Sequence, residues 1–431
     1  MLEALSLTMK FLLLFTLAIV PLRGDDWPEY RGRGRRGVWL EDGIVGRFPS
    51  SLTVKWRHPA RAGYSGPAVA AGRVFLTDYA AGKERALALA EHTGKLLWQR
   101  EWPADYKTIE YATGPRATPT VDQDRVYILG ATGILQCLSA KTGSLIWKRE
   151  AVADFHASLP TWGTASAPLV DGPRLIAVMG GSQGAKVVAF DKRTGRELWR
   201  ALSAAHSETG YSQPVIFSAG GKRQLIIWHA AAVSALEPET GRLLWEHPFP
   251  IHMNTPIATP VQEGPHLLVS AFFNGARLLR LDEQGREVWR GNSSSEVKSD
   301  TLHALMASPV VDGDYIYGIC SYGQLRCLKL STGERVWETQ AVTVERARNA
   351  SAHIIRLKGG HLFFNDRGEL VRADLSPQGY EEISRVKVLK PTSPSGGRRE
   401  LGAVVWSHPA FANGHMVARN DEEVVRLSLR E

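Results

Sequence analysis

From about residue 66 onward the chain is a succession of short apolar runs separated by Gly, Asp, Asn or Thr-Gly punctuation. In the first full unit they fall at 67–70, 74–77, 86–89 and 96–99. Runs this short, bounded by turn residues, predict β-strands joined by tight turns. One eleven-residue stretch recurs. At 189–199 it reads Ala-Phe-Asp-Lys-Arg-Thr-Gly-Arg-Glu-Leu-Trp, a strand ending in a small residue, a Thr-Gly turn and a strand opening on an aliphatic residue and Trp. Related stretches lie at 88–98, 137–147, 235–245 and 327–337, with degraded copies at 279–289 and 373–383. The tryptophans Trp98, Trp147, Trp199, Trp245, Trp289 and Trp337 are 49, 52, 46, 44 and 48 positions apart. A strand-built repeat of this period predicts a propeller. Gly accepts the positive φ of the turn, and the Thr hydroxyl bonds the turn backbone. The indole is expected to fill the space between blades, with room left by the small residue ten positions earlier, Ala or Cys.

Counting repeats gives blades at about 66–101, 118–150, 166–201, 212–249, 258–291, 307–339 and 349–391. Residues 407–431 supply three further strands, and residues 52–59, around Trp56, supply an orphan fourth. The prediction is an all-β, eight-bladed β-propeller of four-stranded antiparallel blades, closed by pairing the N-terminal strand with the C-terminal blade so that no sheet edge is left at the seam. Residues 25–50 show no alternation and read as an arm that packs its aromatics against the outside or one end of the propeller. Residues 51–431 form the propeller itself.

Residues 1–24 read as a secretory signal: Lys10, an apolar run over 11–20 too short to span a bilayer, and a break at Pro21 to Gly24. Met9-Lys10 would make a cleaner start. The expectation is an exported protein, periplasmic or extracellular, monomeric, with no transmembrane segment after signal removal. Net charge is +8, with Arg31, Arg33, Arg35 and Arg36 clustered in the arm and Arg398-Arg399 in a Gly/Ser-rich loop. For an exported protein a basic surface points to anionic or carbohydrate ligands, lipid headgroups or acidic protein partners, and away from nucleic acid. Export permits disulfides, but the three cysteines cannot all pair. Counting back from the turn at Tyr322-Gly323 sets Cys320 opposite Leu325 and diagonal to Cys327, so buried thiols are expected.

Loops between blades gather on one face of a propeller, the usual seat of binding. His156, His206, His252 and His303 each lie in a separate inter-blade stretch, with His353 and His408 at or beside the next inner-strand proline position. Imidazoles converging on the central funnel could bind a transition metal or redox ligand. The residues three before each inner-strand Pro are Tyr64, Arg116, Ala165, Tyr211, Ile257, Met306 and Trp406. Tyr64, Arg116, Tyr211 and Trp406 would make a cationic, aromatic rim for an anionic or planar ligand. The Gly-rich run 180–184 precedes a strand rather than a helix and lacks the geometry of a phosphate cradle. His-Glu-x-x-His and Cys-x-x-Cys are absent, and the one Gly-x-Ser-x-Gly match, 180–184, runs into a strand rather than the helix a nucleophile elbow needs. Asn292-Ser293-Ser294 fits a glycosylation sequon.

The Ala-x-Asp-x-x-Thr-Gly-x-x-x-Trp pattern resembles the tryptophan-docking repeat of the quinoprotein alcohol dehydrogenases, eight-bladed propellers that bind pyrroloquinoline quinone (PQQ). It also resembles PQQ-like propellers without cofactor, of the BamB type. Asp-Trp-Pro-Glu-Tyr-Arg-Gly at 26–32, Lys-Arg-Gln-Leu-Ile-Ile-Trp-His at 222–229, Cys-Ser-Tyr-Gly-Gln-Leu-Arg-Cys at 320–327 and Trp-Ser-His-Pro-Ala-Phe at 406–411 look like exported PQQ-like propeller proteins. The enzymes stack their cofactor between a Trp and a disulfide of adjacent cysteines, hold Ca²⁺ with Glu, Asn and Asp, and use an Asp base. This chain has no Cys-Cys pair and none of the large loop insertions, so no catalytic residue transfers. The resemblance implies a non-catalytic binding or assembly scaffold working through its loop-bearing face. The alternative is a PQQ- or metal-dependent oxidoreductase, with PQQ and calcium in the funnel.

Overall fold

A computed structural model describes residues 25–203, 209–397 and 399–430. Its strands form eight four-stranded antiparallel sheets among the described residues. Blade 1 comprises Ala68–Ala70, Arg73–Ala80, Lys83–Ala90 and Leu96–Pro103, from the axis outward. Blades 2 to 7 occupy 120–150, 169–201, 215–248, 261–290, 310–339 and 352–387. Blade 8 pairs Ala410–Ala412, His415–Arg419 and Glu423–Ser428 with the early strand Val54–Pro59. Trp56 lies opposite Arg426, so the ring is closed as the orphan strand predicted. Innermost strands of neighbouring blades touch around the axis.

The apolar pattern explains the layering. The middle strands are covered on both faces by adjacent blades, so they read as unbroken apolar runs: Leu175, Ile176 and Ala177 are wholly buried. On the outermost strands only every other residue is covered, and the buried one is the docking Trp. Trp98 lies opposite Ala88, Trp147 opposite Cys137, Trp199 opposite Ala189 and Trp337 opposite Cys327. A bulge directly after the small residue recurs in these blades and sets the Thr-Gly turn beneath the preceding blade's Trp. The degraded copy in blade 5 is slipped by one, with Leu278 rather than Leu279 opposite Trp289.

The docking itself is a ring-on-backbone contact between blades. A Cβ added to Gly195 would stand 2.6 Å from the Trp147 ring, and one on Gly94 2.6 Å from Trp56. Both glycines have positive φ, 71° and 68°. Indole N–H groups then donate to a carbonyl of the next blade, Trp98 to Ala140 at 3.0 Å and Trp56 to Glu91 at 2.7 Å. The closing strand's Trp56 docks on blade 1 as Trp98 docks on blade 2 and Trp147 on blade 3.

The arm does more than pack against one end: it fills the central channel. Trp27 bridges Val69 of blade 1, the Pro28 carbonyl accepts from Val121 of blade 2, and Gly37 and Trp39 bond Arg356 of blade 7. The rings of Trp27 and Trp39 pack on Phe411 of blade 8, at 5.8 and 5.3 Å. The buried Arg35 guanidinium donates to the carbonyls of Ala167, Pro168 and Pro214 at 3.1, 2.6 and 2.9 Å and pairs with Glu29 at 2.9 Å. Arg31, also buried, donates to Pro309 at 3.3 Å. The basic cluster is therefore not a basic surface. Of the four clustered arginines only Arg33 and Arg36 are exposed, and Arg399 is buried against Glu345 and Asp366. Arg398 and residues 1–24, with the signal reading, lie outside the described residues.

All three cysteines are free and buried. The hairpin register differs from the count made from the turn: Leu325 faces Ile319, and the Cys320 amide bonds Gln324. That one-residue difference puts Cys320 and Cys327 on opposite faces of the sheet, in different core clusters. No described helix is long and apolar enough to cross a membrane.

Candidate functional site

At the loop-bearing end of the channel lies a cavity of about 290 Å³. All of Tyr64, Arg116, Ala165, Tyr211, Ile257, Met306 and Trp406 line it. The reason is the repeat. Each sits three residues before the proline that opens an innermost strand, so pseudo-symmetry delivers equivalent positions to one mouth. The sequence reading singled out the four polar and aromatic members, and the structure brings them together.

Tyr64 and Trp406 lie 6.1 Å apart, ring to ring, and Tyr111 lies 6.0 Å from Trp406. Across the cavity Trp162 and Tyr211 are 5.4 Å apart. The Arg116 guanidinium stands 5.3 Å from the Tyr64 ring centre. It donates to the carbonyls of Gly114, Glu110 and Tyr111 at 2.6, 2.8 and 2.7 Å, wrapping its own loop around itself. It makes no ion pair among the described residues, and burial lowers its pKa. Glu84, a buried carboxyl that feels this charge, is committed elsewhere. It accepts from Tyr106 at 2.5 Å, Trp102 at 2.9 Å and the Ala131 amide at 2.7 Å, and burial raises its pKa. A second guanidinium at the wall, Arg348, is neutralised by Glu296 at 2.9 Å.

The floor comes from the arm and from blades 7 and 8. Tyr30 packs edge-on against His408 at 4.6 Å. His408 Nε2 is 2.6 Å from the Thr118 hydroxyl, and His353 Nε2 is 3.1 Å from the Trp406 carbonyl. Burial is the main cause that pushes His408 down to about 3 and His353 down to about 4, so both imidazoles are neutral at pH 7.

The histidine series does not converge. His156 is the exposed, left-handed cap of the short helix Ala151–Phe155. His252 is exposed, with its ring 4.3 Å from Phe273. His303 is buried, its Nε2 2.6 Å from the Ser293 hydroxyl, and burial followed by Arg326 pushes it down to about 4. None of these three lines the cavity. His206 lies outside the described residues. Among the described residues no group of three or more His, Cys, Asp or Glu is arranged to hold a metal. The two histidines that do reach the axis, His353 and His408, sit at the proline position or beside it, which is the register that also delivers the ring of seven.

The sequence reading missed Tyr30, Tyr111, Trp162 and Arg348 as lining residues. Tyr111 and Trp162 were visible as aromatics in the two long stretches before blades 2 and 3. Tyr30 carried no signal, because its place depends on the arm entering the channel. The residues present do not match the set that holds PQQ in the quinoprotein enzymes. No cysteine lines the cavity, and Glu110 is its one carboxylate among the described residues.

A family model described as outer membrane protein assembly factor BamB matches residues 82–339 and 250–379. Among solved structures, BamB from Moraxella catarrhalis is 16% identical with a TM-score of 0.59, covering 88% of this chain and 99% of that one. The computationally designed Ika8 protein is 13% identical with a TM-score of 0.54, covering 88% of this chain and 100% of that one. A europium-containing methanol dehydrogenase is 13% identical with a TM-score of 0.48, covering 81% of this chain and 89% of that one. At these identities the likeness is one of fold. A comparison with curated proteins finds no match.

Proposed function

Since the chain belongs to the BamB outer-membrane assembly factor family, we propose that it is an exported, non-catalytic scaffold that binds a partner through its loop-bearing face. The observation that carries this reading is the convergence of seven repeat-equivalent positions on one aromatic mouth. The imidazoles there are spent on the fold, His408 on Thr118 and His353 on Trp406. A surface built this way offers shape and apolar area, with no nucleophile–base pair poised for chemistry among the described residues. The family description supports a protein partner, and the signal-like residues 1–24 support export.

A photo-crosslinking residue placed at Met253, on the cavity rim and 49% exposed, should trap a partner in the cells that make the protein. The same residue at the exposed Arg193, in a Thr-Gly turn on the opposite face, should not. Adducts at Arg193 and none at Met253 would overturn the reading. So would dye-linked alcohol oxidation by protein reconstituted with PQQ and Ca²⁺.

A further inference from the structure

Arg116 is a cation held within an aromatic enclosure and has no carboxylate partner among the described residues. A guanidinium has five N–H donors. Three acceptors, all uncharged backbone carbonyls, engage it, which leaves two donors and a net charge to offer. Beside it the cavity wall carries the rings of Tyr64, Trp162 and Trp406 and the apolar side chains of Met253, Ile257 and Met306, with Gln213, Thr255 and Asn349 as uncharged polar members. The other charges nearby are accounted for among the described residues. Arg348 is paired with Glu296, Glu84 is enclosed by its own donors, and Glu110 is exposed to solvent at the rim.

We propose that the cavity binds a small planar aromatic carboxylate, its ring held between the aromatic walls and its carboxylate on Arg116. This rests on the reading of the loop-bearing face as a binding surface and names the chemistry the centre of that face selects. The flat walls favour a ring over an aliphatic chain through stacking and burial. The unpaired guanidinium favours an acid over its neutral amide, because a charge-assisted hydrogen bond in a partly dry site is stronger than a neutral one. A volume of about 290 Å³ suits a ligand of one or two rings.

The probes are benzoate, indole-3-carboxylate, benzamide and hexanoate, titrated into the full chain while its tryptophan fluorescence is read, since Trp162 and Trp406 line the site. Both aromatic acids should bind. Benzamide and hexanoate should bind at least about tenfold more weakly, and the acid–amide gap should shrink as salt is raised. Arg116→Gln should erase the gap. That variant also loosens the loop that Arg116 wraps, so Ile257→Trp serves as the second: it fills the cavity and should abolish binding of every probe with the thermal midpoint retained. Equal binding of benzoate and benzamide, or wild-type binding by Ile257→Trp, overturns the proposal. Crosslinking at Met253 without binding of any probe overturns it too, while the scaffold reading stands.

Discussion

At the scale of single residues, the seam between blades is a glycine under an indole. The positive φ of Gly195 and the 2.6 Å that a Cβ would leave to Trp147 act against any side chain. Gly195→Ala should therefore cost about 2–4 kcal/mol, combining left-handed strain with overpacking, as read from urea denaturation. Gly172 also has positive φ but open space around it, so Gly172→Ala should cost only the backbone part. The buried histidines set a pH dependence. His408 titrates at about 3 in the folded chain against about 6.5 unfolded. The unfolded state therefore takes up the proton first, and stability falls as pH drops below 6.5. At pH 5 the loss from this one group is about 2 kcal/mol. His353 and His303, each near 4 when folded, add in the same sense. Thermal midpoints should decline from pH 7 to pH 4.5, and His408→Gln should flatten that slope.

At the scale of elements, the strand Val54–Pro59 matters most, because it completes blade 8 and docks Trp56 on blade 1. Trp56→Ala removes a buried indole and its bond to Glu91 and should cost about 3–5 kcal/mol, measured as a lowered denaturation midpoint. Much of this architecture was legible in the sequence, since strand length, the Thr-Gly turn and the docking Trp are local patterns repeated often enough to count. The orphan strand was legible by subtraction, as a Trp with no strands before it. Register was less so. A bulge or a one-residue slip, as at Leu278 or around Cys320, leaves no trace in composition yet flips which face a side chain occupies. The arm's path was not legible at all. Its contacts run to backbone carbonyls of blades far along the chain, and a carbonyl acceptor has no residue type to recognise.

At the scale of the whole molecule, pseudo-symmetry made the cavity mouth readable: one register position, copied around the ring, names seven lining residues. The same symmetry misled about the histidines, which share loops but not a register, so the fold scatters them. The floor of the cavity depends on the channel being filled. Arg35 ties blades 3 and 4 together through the carbonyls of Ala167, Pro168 and Pro214. Arg35→Gln should lower stability by about 2–4 kcal/mol. It should also increase hydrogen exchange at the innermost strands of those blades beyond what global destabilisation explains.

The route of the arm also constrains the order of assembly. Residues 27–39 leave the ribosome ahead of every full blade, yet their partners lie as far along the chain as Arg356 and Phe411. The segment cannot seat until nearly all of the polypeptide has been made and curled round it. A stretch born before any full blade is thus a keystone, set last, and until it drops in the wheel has no hub.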